Sequence, residues 1–192
     1  MSILKVSRLG HPVLRDKARP LTPSFLARPA TQTLIDNMIE TMVEYHGVGL
    51  AAPQVGVHLN VIAMDVDQRP AAEGEQPKKK GEGLFWLIDP VLKAADGEFT
   101  YTEGCLSVPD EYEDVTRFGH IVVEYTDRDG KRKQKEATNT LLSVCVQHEM
   151  DHLQGKLFVD HLSALKRELI KRRMKRLKTQ REAERKGEAT AL

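Results

Sequence analysis

The sequence predicts an α+β fold: mixed or antiparallel β-sheets around a central helix, with a further helix at the C-terminus. Three observations carry this. Apolar residues at helical spacing lie towards the two ends of the chain, short apolar runs of strand type fill its middle, and the connections are short. At 192 residues, one compact domain followed by a tail is expected, divided here as residues 1–165 and 166–192.

The elements follow in order. Thr31 to His46 carries Leu34, Ile35, Met38, Ile39, Met42 and Val43 at helical spacing, and Gly47 supplies a C-terminal stop. Gly47-Val-Gly-Leu-Ala-Ala-Pro-Gln-Val-Gly56 is too irregular for a simple helix or strand. Leu59–Val66 reads as a strand. Gln68–Gly83, with Pro70, Pro77 and three consecutive lysines, reads as a mobile surface loop. Leu84-Phe-Trp-Leu-Ile88 reads as a buried strand ended by Asp89-Pro90. Phe99–Glu103 is a strand leading into Gly104–Pro109. His120–Thr126 and Lys131–Ala137 flank Asp127-Arg-Asp-Gly130, a hairpin signal. Leu141 to His152 contains no Gly or Pro and reads as the central helix. Leu162 to about Lys186 forms a last, polar helix with a thin apolar stripe of Leu165, Leu169, Ile170 and Leu177.

Composition is that of a soluble globular protein, 40% hydrophobic and 30% charged. No apolar run approaches bilayer length, and Met1–Gly10 lacks the apolar core of a signal peptide, so a cytoplasmic location without membrane attachment is expected. In a reducing compartment, Cys105 and Cys145 are expected as a ligand thiolate and a buried thiol rather than a disulfide. Nothing in the chain demands an oligomer, and a monomer is expected. The net charge of +1 conceals an asymmetry. Residues 166–186 hold 11 Lys/Arg against 3 acids, whereas residues 1–165 hold 18 basic and 24 acidic residues. A basic tail on an acidic body suggests a polyanionic partner.

The chemistry centres on His148-Glu-Met-Asp-His152 in the central helix. Two histidines four apart share one helical face and can grip one metal ion. Glu149 beside them can serve as general base for a water activated by that ion. Leu141, Val144, Cys145, His148 and His152 share a face, which argues for a buried setting. By spacing alone, Leu141 and Val144 read as plain core packing. Asp151 is expected in a salt bridge or hydrogen bond near the helix end. His11, His46, His58, His120 and His161 have no ligand spacing and read as surface or loop residues.

Two ligands do not close a site. Metzincin proteases place a third histidine six residues beyond the second, where this chain has Phe158, which cannot ligate. A downstream glutamate, as in gluzincins, would be Glu168, but it sits among Lys166, Arg167, Lys171 and Arg172 as a solvated ion pair. The remaining source lies upstream: Cys105 in Glu103-Gly-Cys-Leu-Ser107 can present a thiolate beside a flanking glycine. One thiolate and two imidazoles leave a coordination position open, as a catalytic site requires.

Gly47-Val-Gly-Leu-Ala-Ala-Pro-Gln54, Glu103-Gly-Cys-Leu-Ser107 and His148-Glu-Met-Asp-His152 closely resemble, in order, the three signature motifs of peptide deformylases. The likeness covers about residues 3–165. It implies a hydrolase that removes the formyl group from the N-terminal formyl-methionine of nascent peptides. It implies Cys105, His148 and His152 as ligands of one ferrous ion, for which zinc, nickel or cobalt can substitute. It also implies Glu149 as general acid/base, with the Gln54 side chain and the Leu106 backbone N–H stabilising the oxyanion. Val48, Gly49, Tyr101, Leu141, Val144 and Cys145 map to the methionine pocket, and Glu103 and Gly104 are expected at the substrate. Arg117 falls where the family pairs an arginine with the glutamate matching Glu103, bracing the Cys105 loop. Bacterial members dock on the ribosome near the exit tunnel through a C-terminal helix, which implies that role for residues 166–186. The competing readings are a metalloprotease and a non-catalytic ribosome-associated module with a structural metal. Phe158 and Cys105 count against the first. Glu149 and Gln54, which a structural site does not need, count against the second.

Overall fold

The computed structural model describes residues 2–66 and 84–190, with side chains up to residue 180. The expected loop at 68–83 therefore lies outside the described residues, as do the side chains of Arg181, Arg185 and Lys186.

Helix α1 (Pro23–Leu26) is short and starts at Thr22, whose hydroxyl accepts from the Phe25 N–H at 3.2 Å. Helix α2 (Pro29–Glu44) begins at a proline, where a missing N–H costs nothing, and buries Ile35, Met38 and Met42 completely. Then come β1 (Gly49–Ala51), β2 (Val61–Asp65), β3 (Leu84–Asp96), β4 (Phe99–Cys105), β5 (Val108–Arg117), β6 (His120–Thr126) and β7 (Arg132–Thr138). Helices α3 (Leu141–Leu153) and α4 (Ala164–Thr190) complete the order. Five strands form one sheet in the order β1-β2-β3-β6-β7, while β4 and β5 pair as a separate hairpin. Every pairing between these strands is antiparallel.

Strand residues alternate between two faces, and both faces of β1 and β2 are buried. Leu50, Val61 and Ala63 pack under α2 with Ile35, Met38 and Met42. Ala51, Ile62 and Met64 pack instead with Cys145, Val146 and Leu153 of α3. The sheet thus sits between α2 and α3, and α3 becomes a central, largely buried helix, as expected. A third cluster joins Val108 and Val115 of β5 to Leu157, Phe158, Leu162, Ile170 and Met174.

Three expectations change. First, Asp89-Pro90 does not end β3. The strand continues to Asp96 through a register shift between Ile88 and Val91. Asp89 adopts φ 48°, and its carboxylate accepts from the Leu21 N–H at 3.1 Å. At such a bulge the proline removes no ladder hydrogen bond. Second, the ten-residue β5 was not anticipated. Its inward positions include Glu111 and Arg117 beside Val108 and Val115, so charge hid the strand pattern. Third, the apolar stripe of α4 is differently phased. Leu165 and Leu169 are 71% and 43% exposed, whereas Ile170 and Met174 are buried and Leu177 packs beside them. Ion pairs from Lys166 to Glu113 and from Arg173 to Glu111, both 2.5 Å, hold the helix on β5 with Ile170 and Met174 inward. Among the described residues no helix is long and apolar enough to cross a membrane.

Candidate active site

α3 starts where the Thr140 hydroxyl accepts from the Ser143 N–H at 3.4 Å and the Ser143 hydroxyl accepts from the Thr140 N–H at 3.2 Å. Two turns on, His148 and His152 stand one above the other, with ring centroids 5.0 Å apart, and both are buried. Cys105 closes β4, where the β4–β5 register shifts between Gly104 and Cys105. This irregularity turns the thiol towards α3, and Cys105 Sγ lies 3.3 Å from His152 Nε2. One ligand atom each from Cys105, His148 and His152 lies within 4.8 Å of the other two.

These residues fit a metal. Glu103 Oε2 lies 2.7 Å from His148 Nδ1, so the carboxylate takes that hydrogen and leaves the other ring nitrogen a lone pair. Burial opposes a charge on His148. Cys105 and Glu103, with Glu149, outweigh it and push its pKa well above the ordinary value; these anionic groups favour positive charge here, and a metal cation would take the place of the proton the second ring nitrogen otherwise holds. Burial, helped by the neighbouring His148, keeps His152 neutral, the form that ligates. A thiolate with two imidazoles suits borderline transition metals. Phe158 lies parallel to His148, with ring centroids 6.2 Å apart and a 20° tilt, as a packing partner.

Glu149 is 3% exposed, and its Oε2 has no partner among the described residues. Burial pushes its pKa up to about 7. Gln54 is held in one orientation. Its Oε1 accepts from the Ala51 N–H at 2.8 Å, so its Nε2 points to Ser107 Oγ at 3.2 Å and to Cys105 Sγ at 3.6 Å. The 3-10 turn Ala52–Val55 that carries Gln54 is closed by Gly56 at φ 83°.

A cleft of about 600 Å³ opens beside this cluster. Val48, Gly49, Tyr101, Glu103, Gly104, Leu141, Val144 and Cys145 all line it, together with Gln54, Cys105, Leu106, His148 and Glu149. His152 lies behind this wall. A Cβ on Gly49 would stand 2.5 Å from Glu149 Oε1 and 2.8 Å from Cys145 Sγ, so the backbone meets the carboxylate there only because the residue is glycine. The Glu103 carboxylate is engaged by His148 and by buried Arg117, which also donates to Asp151 at 2.9 Å.

Two parts of this arrangement, Ser107 and the segment 7–9, went unassigned in the sequence. Ser107 donates its N–H to Cys105 Sγ at 3.4 Å and accepts from Gln54. Arg8 donates to the Leu106 carbonyl, while the flanking Ser7 N–H reaches the Gln54 carbonyl at 2.7 Å and the Leu9 N–H reaches the Ser107 carbonyl at 2.8 Å. Residues 7–9 thereby tie two motifs together. Ser107 stood inside a motif, but nothing in the N-terminal sequence marked residues 7–9.

A thiol at a strand end, facing two buried histidines and a carboxylate on a helix packed against antiparallel sheets, defines a metallohydrolase. The sequence pattern of polypeptide deformylases matches residues 3–168. Peptide deformylase 2 of Xanthomonas campestris is 44% identical over 178 residues, 93% of this chain and 98% of that protein. The crystal structure of a peptide deformylase from Legionella pneumophila superposes with a TM-score of 0.82 at 36% identity, covering 94% of this chain and 98% of that one. The Met-Ala-Ser-bound class I type b peptide deformylase of Acinetobacter baumannii superposes at 0.76 with 31% identity, covering 84% and 99%. The chain belongs to the polypeptide deformylase family and is a metal-dependent hydrolase that removes the N-formyl group of nascent polypeptides.

Proposed function

We propose that Cys105, His148 and His152 hold one ferrous ion and that Glu149 carries the proton of deformylation. The observation behind this is the convergence of three ligand atoms within 4.8 Å beside a carboxylate oxygen that has no partner among the described residues. Zinc, nickel or cobalt can take the place of iron on the same donors. When bound, the metal supplies Lewis acidity that makes a water molecule nucleophilic near neutral pH.

The remaining work belongs to the chain. Glu149 Oε2 accepts the proton of the attacking water and later delivers it to the leaving amine nitrogen. A carboxyl raised to about 7 suits both transfers. Gln54 Nε2 and the Leu106 N–H donate to the oxyanion that develops on the formyl oxygen. Gln54 arrives oriented, because Ala51 holds its carbonyl end. Val48, Tyr101, Leu141, Val144 and Cys145 receive the methionine side chain. The backbone at Gly49 and Gly104, with Glu103 beside it, aligns the peptide as an added strand. The Acinetobacter enzyme's bound Met-Ala-Ser supports a deformylated peptide of this kind as the product here. Arg117 braces Glu103 and the Cys105 loop.

The same reading treats residues 1–165 as the catalytic unit and 166–192 as a basic segment that binds ribosomal RNA or protein near the exit tunnel. It makes the protein a cytoplasmic monomer. The test is release of formate from formyl-Met-Ala-Ser, measured anaerobically on the iron-loaded protein. Wild type releases formate and Glu149→Ala does so at least about a hundredfold more slowly, within the range general acid–base groups contribute. A Glu149→Ala variant as active as wild type contradicts the assignment.

A further inference from the structure

One run of polar side chains reaches beyond the cluster. It starts at His148 Nδ1, 2.7 Å from Glu103 Oε2. Arg117 grips both Glu103 oxygens through Nε and Nη2, the second at 3.0 Å. Its Nη1 donates to Asp151 Oδ2 at 2.9 Å. The same Asp151 oxygen lies 2.7 Å from His161 Nε2. An ionised carboxylate only accepts, so His161 Nε2 carries the hydrogen. The chain therefore runs unbroken from a buried imidazole to one that is 36% exposed, in the 3-10 turn Phe158–His161 at the foot of α4.

The turn does not need His161 for its own anchorage. Phe158 and Val159 are buried, Asp160 pairs with Arg15 at 2.5 Å, and Asp160 also accepts from the Leu157 N–H at 2.9 Å. What His161 supplies is a second bond to Asp151 Oδ2, beside the one from Arg117, on the outer side of this partly exposed carboxylate. Asp151 in turn fixes the free arm of Arg117, and the guanidinium plane fixes the carboxylate that aims His148.

We propose that His161 is a positioning residue for deformylation, holding His148 in its ligating orientation through Asp151, Arg117 and Glu103. The inference rests on the reading that Cys105, His148 and His152 bind a metal. It makes the grip on that metal sensitive to a residue at the root of the basic helix, outside all three signature motifs.

The test uses the full-length chain loaded with cobalt(II), as wild type, His161→Phe, His161→Gln and Arg15→Ala. Cobalt loss to excess EDTA, the visible cobalt spectrum, kcat and KM are measured on each. Outer partners of metal-ligating histidines are worth about 10–100-fold, and His161 acts further out, so His161→Phe should lose cobalt about three- to tenfold faster. Its spectrum should shift, and kcat should fall by a similar factor at unchanged KM. Glutamine can still donate to Asp151, so His161→Gln should recover most of the loss. Arg15→Ala loosens the same turn without touching the relay and removes a positive charge that acts on His152, so it should retain cobalt at least as well as wild type. A His161→Phe variant with wild-type cobalt loss and spectrum overturns the proposal. So does equal impairment in Phe and Gln, or an Arg15→Ala variant that loses cobalt as fast as His161→Phe. Wild type that binds no cobalt at all would instead bring down the metal reading on which the proposal stands.

Discussion

Gly49 concentrates the logic of the site in one residue. It lies in β1 between α2 and α3, and the space a side chain would occupy is already taken by Glu149 Oε1 and Cys145 Sγ. Both are ends of side chains rather than backbone, so Gly49→Ala should fold and displace Glu149 rather than unfold the sheet. Misplacement of a reacting group by about 1 Å can cost on the order of 10²-fold, and kcat for formate release should fall by about that factor with the fold retained by circular dichroism. Near-wild-type kcat would show that the close approach is tolerated. That Cys105, His148, His152 and Glu149 come together could be expected from the sequence, because helical spacing and a glycine-flanked cysteine are local patterns. The Glu103–His148 bond could not, since it spans 45 residues and joins two separate motifs. Asp151 was expected in an ion pair or hydrogen bond and forms both, but neither partner could be read from spacing.

At the scale of elements, the sequence exposed what period and glycine mark, and concealed what charge disguises. The α2 helix, the β6–β7 hairpin and α3 emerged within a few residues of their expected limits. β5 did not, because Glu111 and Arg117 occupy inward positions that an apolar-alternation rule assigns to hydrophobes. They are tolerated there because Arg173 and Glu103 pair with them. The apolar stripe of α4 was misphased for a related reason: Leu165 and Leu169 are apolar yet exposed, while Met174 supplies a buried position in their place. Ile170 is fully buried against the Phe158 cluster that backs His148. Ile170→Ala should therefore destabilise the protein by about 2–4 kcal/mol in urea unfolding, whereas Leu165→Ala should change stability by less than about 0.5 kcal/mol. Equal effects at the two positions would contradict the observed phase of the helix.

At the scale of the molecule, charge is distributed in two blocks, an acidic body and a basic C-terminal segment. The first turns of α4 neutralise part of this internally, since Lys166 and Arg173 pair with Glu113 and Glu111 of β5. Truncation after Gln180 removes three basic residues, Arg181, Arg185 and Lys186, yet keeps Ile170, Met174 and Leu177. Formate release from a tripeptide should be unchanged by that truncation. If the segment meets ribosomal phosphates, affinity for ribosomes should fall steeply with salt, and the truncation should reduce the log–log slope by about 2–3, near one per lost contact. An unchanged slope would remove this region from the interface.

One thiolate and two imidazoles, from Cys105, His148 and His152, should hold the ion that deformylation requires. X-ray absorption at the metal edge of the zinc-loaded protein decides this. One sulfur at about 2.3 Å and two imidazole nitrogens at about 2.0–2.1 Å are expected, with the sulfur shell lost in Cys105→Ala. A wild-type spectrum without a sulfur neighbour, or one that Cys105→Ala leaves unchanged, would contradict it.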